Sequence, residues 1–180
     1  MGRLGLKSRP TKVNELQAIA AIGQMRLMQA YEEEISELGY VSSMILLTHE
    51  DFSDRRRYLN ARATLTRLLD LGAIPLINEN DTVATDEIRF GDNDTLSAFV
   101  TNLVEADLQI ILTDVDGLMD KDPNVHGDAK RVSQASADDQ SLELLSSDRT
   151  SDLGRGGMLS KVKAARLASR SGADTVIASG

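Results

Sequence analysis

Three short segments hold most of the residues that could do chemistry. The first runs from Asn78-Glu79-Asn80-Asp81-Thr82 to Gly91-Asp92-Asn93-Asp94-Thr95. Its carboxylates could accept from the ammonium group of an amino acid, while its amides and a helix N-terminus could donate to the carboxylates. Helix capping by Asp92 or Asn93 explains one such residue. Asp81, Asp92 and Asp94, with the amides of Asn78, Asn80 and Asn93, are more than one cap requires.

The second segment is Asp114-Val115-Asp116-Gly117-Leu118, followed by Asp120-Lys121-Asp122-Pro123. It reads equally as a ligand-facing loop and as a tight turn at Asp116-Gly117. Its four aspartates could hold a metal, but the later bidentate Glu of a calcium loop is missing. The third segment is Gly154-Arg155-Gly156-Gly157-Met158-Leu159-Ser160-Lys161. Glycines leading into a helix expose N–H groups at its positive end, where phosphate binds. Lys161 falls one turn past Gly157 on the same side, so one phosphate could meet both the N–H groups and the ammonium. This is not the common P-loop, whose Lys follows a Gly; here Ser160 precedes it. A solvated Lys on a helix behind a flexible loop is the competing reading. His49 and His126 lack ligand partners in the sequence, and Arg55-Arg56-Arg57 reads as a solvated helix face.

Positioning these segments requires strands and helices in alternation. Apolar residues at steps of three and four (Val13, Leu16, Ala20, Gly23, Leu27, Tyr31, Ile35, Leu38) predict a helix over residues 13–38, stopped by Gly39. Val41–Leu47 reads as a buried strand. Asp51 and Asp54 are candidate caps for a helix with Tyr58, Ala61, Leu65, Leu68 and Leu69 inward and Gly72 as its stop. Ala73–Ile77 reads as a strand, Asn93–Val104 as a helix and Leu108–Thr113 as a strand. A looser stretch follows to about Arg155, with a weak helix near Leu142–Leu145. Gly157–Ser171 reads as the last helix and Thr175–Ala178 as the last strand. Short apolar strands alternating with helices predict parallel strands covered on both faces, hence an α/β sandwich. Ligands in such sheets sit beyond the carboxyl ends of strands, after Ile77, Thr113 and Leu153 here. No repeat or linker interrupts residues 1–180, which predicts one domain.

Composition narrows the function classes. The chain has 180 residues and a net charge of −8, which disfavours nonspecific binding to nucleic acid or an anionic membrane. Aromatic residues make up 3% with no Trp, too few for stacking platforms on single-stranded nucleic acid. There is no cysteine, which excludes thiolate chemistry and fits a reducing cytoplasm. The longest apolar run, Ala18–Ile22, is far short of a membrane span, and no secretion signal follows Arg3, Lys7 and Arg9.

Taken together, the segments resemble the amino-acid kinase family, and within it the branch that phosphorylates the side-chain carboxylate of glutamate. PLINENDTVATDEIRFGDN at 75–93 is similar to that branch's substrate region almost residue for residue. LTDVDGL at 112–118 and GGMLSK at 156–161 resemble its nucleotide side, and AAIGQ at 20–24 and LNAR at 59–62 also match. The resemblance runs from about Asn14 to Gly180. It implies a three-layer α/β/α sandwich with a mainly parallel sheet. It also implies ATP with Mg as cofactors, glutamate 5-phosphate as product and the first step towards proline. A cytoplasmic homo-oligomer, inhibited by proline where it overlaps glutamate, would follow.

By the same resemblance, Asp81, Asp92 and Asn93 would hold glutamate, and Asp94 would organise the catalytic groups. Thr113 and Asp114 would border the nucleotide. Arg155, Gly156, Gly157, Met158, Leu159, Ser160 and Lys161 would wrap its phosphates, with Lys161 stabilising the transferred charge. Two departures stand out. The family usually has Thr where this chain has Arg155. Its domain also begins with a strand and a glycine loop bearing a second catalytic Lys, neither of which precedes Met1. The expectation is an incomplete piece with little kinase activity by itself. The alternatives are another family member acting on a different acid or nucleotide, and a non-catalytic amino-acid-binding module.

Overall fold

The computed structural model describes residues 10–84, 92–121, 126–142 and 157–180. The chain divides into two compact units, Met1–Arg89 and Phe90–Gly180. Each builds helices onto a pair of parallel strands, so the fold is α/β, the class expected from the alternating pattern.

In the first unit, α1 (Val13–Glu37) leads into β1 (Val41–Leu47), α2 (His49–Ser53), α3 (Arg55–Asp70) and β2 (Ala73–Glu79). β1 and β2 pair in parallel from Val41 opposite Ala73 to Leu47 opposite Glu79. Asp54 caps α3 by accepting from the Arg57 N–H at 2.9 Å, as expected. Asp51 does something else. It sits in the first turn of α2, where its Oδ2 accepts from the Thr48 N–H at 2.6 Å and the Thr48 hydroxyl at 2.8 Å.

The inward face of α1 differs from the expected stripe. Leu27 and Tyr31 are 47% and 52% exposed. The half-buried positions are Leu16, Gln17, Ile19, Ala20, Gln24, Met28 and Ile35. Two of these are amides, and each has a partner. Gln17 Nε2 donates to the Ala84 carbonyl at 3.0 Å, and Gln24 Oε1 accepts from Asn78 Nδ2 at 2.8 Å. A polar side chain facing inward needs such a partner. Apolar periodicity passes over it.

In the second unit, α4 (Asn93–Val104) precedes β3 (Leu108–Thr113), and α5 (Met158–Ala168) precedes a 3-10 turn and β4 (Asp174–Ser179). β3 and β4 pair in parallel from Leu108 opposite Asp174 to Thr113 opposite Ser179. Ala98, Ile111, Ala164, Ala168 and Ala173 form the core, with Leu167 and Ile177 against it. Alanines on both helices let their axes approach closely, since side-chain size sets the separation. Asn102 fastens the same seam, donating to the Leu167 carbonyl at 3.0 Å and accepting from the Ser171 hydroxyl at 2.6 Å. Gln109 is buried on β3 and satisfied by Ser97 at 2.7 Å and Thr175 at 3.1 Å. Among the described residues the strand's other row, Leu108, Ile110 and Leu112, is exposed. The weak helix is described only at Ser141 and Leu142; residues 143–145 lie outside the described residues.

Candidate active site

Two helix N-termini meet in the second unit. Asp92 stands ahead of α4 in an extended conformation, and its Oδ1 accepts from the Thr95 N–H at 2.8 Å. It thereby satisfies one of the donors that every helix start leaves open. The capping reading of Asp92 is thus what this carboxylate oxygen does. Asn93 and Asp94 follow in the first turn. Gly157 stands at the same position for α5, with φ −79° and ψ −178°. Its carbonyl accepts from the N–H groups of Ser160 at 3.0 Å and Lys161 at 3.4 Å. The N–H groups of Met158 and Leu159 belong to the open first turn.

Asp94 ties the two helix starts together. Its Oδ2 accepts from the Ser160 hydroxyl at 2.7 Å, and Lys161 Nζ lies 3.0 Å from Oδ2 and 3.1 Å from Oδ1. The Lys161 and Asp94 side chains are only 12% and 14% exposed. A charge-assisted pair so far from water is weakly screened and fixed in direction. The Ser160 oxygen also lies 2.7 Å from the Gly157 carbonyl. A hydroxyl carries one proton, and the charged carboxylate is the stronger acceptor. Lys161 has three N–H donors against the two oxygens of Asp94, so the ammonium can serve a further anion.

Thr113 ends β3 in the same unit. Its hydroxyl donates to Asp114 Oδ1 at 3.3 Å, and its carbonyl accepts from the Gly180 N–H at 3.0 Å. The turn reading of Asp116-Gly117 fits the backbone. Gly117 has φ +120°, and a Cβ there would stand 2.9 Å from the Ile177 carbonyl oxygen. The chain then runs antiparallel to itself, with the Asp120 N–H donating to Lys130 and the Val132 N–H to Leu118. Asp120 Oδ1 accepts from the Lys130 N–H at 2.7 Å, and Asp128 pairs with Lys121 at 2.6 Å. That hydrogen bond holds the Asp128 carboxyl below its usual range and pushes the Lys121 ammonium up. Among the described residues no group of three or more His, Asp or Glu side chains converges on a metal position.

Asp81 lies in the first unit, in the turn after β2, where it lines a cleft with Gln24, Glu79 and Thr82. Arg155 and Gly156 lie outside the described residues. Of the expected residues, the second unit brings Asp92, Asn93 and Asp94 together with Gly157, Met158, Leu159, Ser160 and Lys161. The sequence reading missed the direct contact between Ser160 and Asp94 and the inward amide of Gln24. A hydroxyl beside a glycine-led helix start was the one sequence signal for the former.

The profile of the amino acid kinase family matches residues 2–179. The chain belongs to the amino acid kinase family. Among individual relatives, it is similar to glutamate 5-kinase of Marinomonas sp. (strain MWYL1), at 63% identity over all 180 residues and 48% of the relative. Glutamate 5-kinase of Pseudomonas putida (strain W619) is 59% identical, again over the whole chain and 48% of the relative. The chain spans about half the length of the curated relatives it matches. Among solved structures, a carbamate kinase from Giardia lamblia bound to AMP-PNP aligns over 66% of this chain and 38% of that chain, at 18% identity and a TM-score of 0.49.

Proposed function

We propose that this chain serves an ATP-dependent kinase that phosphorylates the side-chain carboxylate of L-glutamate. The product would be glutamate 5-phosphate, made in the cytoplasm as the first step of proline biosynthesis. The observation that carries the proposal is the Asp94 carboxylate, shared by the Ser160 hydroxyl and the Lys161 ammonium where two helices begin. The names and identity of the relatives support the choice of glutamate. The family match across both units supports reading residues 1–180 as one kinase domain.

The reaction sets one carboxylate anion against a phosphoryl group that is itself anionic. No base is needed, because the nucleophile is already ionised. Positioning and charge neutralisation must supply the catalysis instead. In this reading Lys161 offers its ammonium to the phosphoryl oxygens while Asp94 and Ser160 hold it in place. The N–H groups of Gly157, Met158 and Leu159, with Arg155 and Gly156, cradle the phosphates. Thr113 and Asp114 border the nucleotide at the carboxyl end of β3. Asp81, Asp92 and Asn93 hold glutamate. Mg would arrive with ATP and neutralise phosphate charge; it takes most of its ligands from phosphate and water, which fits the lack of a converging acidic group among the described residues. The proposal includes a homo-oligomer and inhibition by proline, which presents the same ammonium and carboxylate as glutamate. No helix among the described residues is long and apolar enough to cross a membrane.

The test is an acyl-phosphate assay on the full-length protein with ATP and Mg, comparing glutamate with aspartate, acetylglutamate and UMP. Glutamate should lead by roughly 100-fold or more in kcat/KM. A preference for another acceptor would move the chain elsewhere in its family.

A further inference from the structure

A cleft of about 330 Å³ opens in the first unit beside α1, β1 and β2. Met25, Met28 and Met44 give it an adaptable apolar wall, and Glu79, Asp81 and Gln24 give it a polar end. Among the described residues its polar end carries the carboxylates of Glu79 and Asp81 and no Lys or Arg, a lining that suits an ammonium group better than a phosphate. An ammonium-bearing ligand that also carries a carboxylate needs hydrogen-bond donors there. Thr82 offers a hydroxyl, and Gln24 offers an NH2 group with two N–H bonds.

The surroundings of Gln24 make its amide more than a filler. Its Oε1 is taken by Asn78 Nδ2 at 2.8 Å, which fixes the plane of the amide. Among the described residues, the acceptor beside its Nε2 is the thioether sulfur of Met44 at 4.0 Å, a weak partner. A half-buried amide with so little use for its donors carries a desolvation cost that a carboxylate would relieve. Position 24 also lies on the inward stripe of α1, where apolar side chains are the rule.

We propose that Gln24 is a specificity-determining residue for an α-amino acid bound in this cleft. The ammonium lies toward Asp81, the α-carboxylate on the Gln24 N–H groups and the aliphatic carbons against the methionines. The proposal rests on the glutamate-kinase reading and adds to it a residue outside the substrate set of Asp81, Asp92 and Asn93.

Two substitutions in the full-length protein separate this role from a structural one. Gln24→Ala removes both the donor and the acceptor for Asn78. Gln24→Glu keeps the acceptor for Asn78 but replaces the donor with a second carboxylate. Both should raise the KM for glutamate and the inhibition constant for proline by tenfold or more, Glu further than Ala. The KM for ATP should stay near that of the parent in both variants, and so should the melting temperature of Gln24→Glu, which keeps the acceptor for Asn78. Recovery of glutamate affinity in Gln24→Glu would show that Gln24 only holds Asn78, and unchanged amino-acid affinity in both variants would equally overturn the proposal. If the parent does not phosphorylate glutamate, the kinase reading fails first, and titration of both proteins with the twenty common amino acids decides this one. An amino acid bound by the parent and lost in Gln24→Glu upholds it; no amino acid bound by the parent overturns it.

Discussion

Lys161 and Asp94 stand 67 positions apart in the chain, yet the Lys161 ammonium spans both oxygens of the Asp94 carboxylate at 3.0 and 3.1 Å. Each belongs to the first turn of its own helix, and the alanine seam between those helices sets the distance. The core of the second unit thus aims a cation. Mutating one partner therefore has two separable effects, on turnover and on stability.

Lys161→Ala should lower turnover by on the order of 10²–10³, with the KM for glutamate changed only a few-fold. Its ammonium acts on charge that grows in the transition state, so the loss belongs in kcat. Steady-state kinetics on the full-length protein check this. Unchanged turnover with weakened ATP binding would make Lys161 a ground-state phosphate clamp. The same variant leaves the Asp94 carboxylate half-buried and without its cation, at a cost of about 3 kcal/mol in unfolding free energy.

Asn93→Ala should raise the glutamate requirement by roughly tenfold to a hundredfold and leave ATP binding nearly intact, because a hydrogen bond to a charged ligand is worth about 1.5–3 kcal/mol. Inhibition by proline should weaken in parallel. Asp92 needs a subtler substitution, since its Oδ1 caps α4. Asp92→Ser keeps a capping oxygen while removing the charge. Titrations with glutamate, ATP and proline read both variants. Equal losses for ATP and glutamate would make the group structural.

Gly117→Ala should destabilise the second unit by about 1–3 kcal/mol. The residue sits at φ +120°, and its new methyl would press on the Ile177 carbonyl oxygen at 2.9 Å. Urea denaturation should show a lower midpoint with an unchanged slope. A midpoint equal to the parent's would mean that the turn relaxes without cost.

Acid should expose the role of Asp51. Burial pushes its carboxyl up, but hydrogen bonds from the Thr48 N–H and hydroxyl and from Arg57 outweigh burial and hold it below 3.8. A depressed carboxyl stabilises the fold fully above its unfolded value and stops doing so as pH falls through its folded value. Asp51→Asn should therefore cost roughly 1 kcal/mol at neutral pH. The gap from the parent should close as pH falls through the depressed folded value, below the ordinary carboxylate range. Melting temperatures across that range measure it, and a gap independent of pH would rule out the ionised carboxylate as its source.

Much of the scaffold could be read from local pattern. Leu108–Thr113 is bounded as expected, because an apolar run with β-branched residues, broken only by Gln109, has few other uses. β2 and β4 run slightly beyond their apolar centres, to Glu79 and from Asp174 to Ser179, because strand pairing does not depend on side-chain polarity. Asn93 opens α4 where the cap signal placed it. The contacts that build the site were less legible. Ser160 and Asp94 meet 66 positions apart, and nothing local to either residue names the other. Gln24 faces inward because Asn78, 54 positions later, takes its oxygen. Asp51 reads as a candidate cap for α3, but it accepts from Thr48 in the capping box that opens α2. Periodicity reports where apolar faces lie and is silent on polar partners brought in by the fold.

The parallel pairing of β3 with β4 also has a bearing on synthesis. Gln109 and Thr175, which share a hydrogen bond across that pair, are 66 positions apart. At 5–20 residues per second, a ribosome takes roughly 3–13 s to travel from one strand to the other. The β1–β2 pair has only α2 and α3 between its strands and can close first. Through the longer interval β3 has no β4 to take up its backbone groups, and α4 has no α5 against which to bury Ala98. Translation thus delivers the second unit late, with its parts arriving as α4, β3, α5 and β4. The Asp94–Lys161 pair cannot form until the ribosome is almost done with the residues described here.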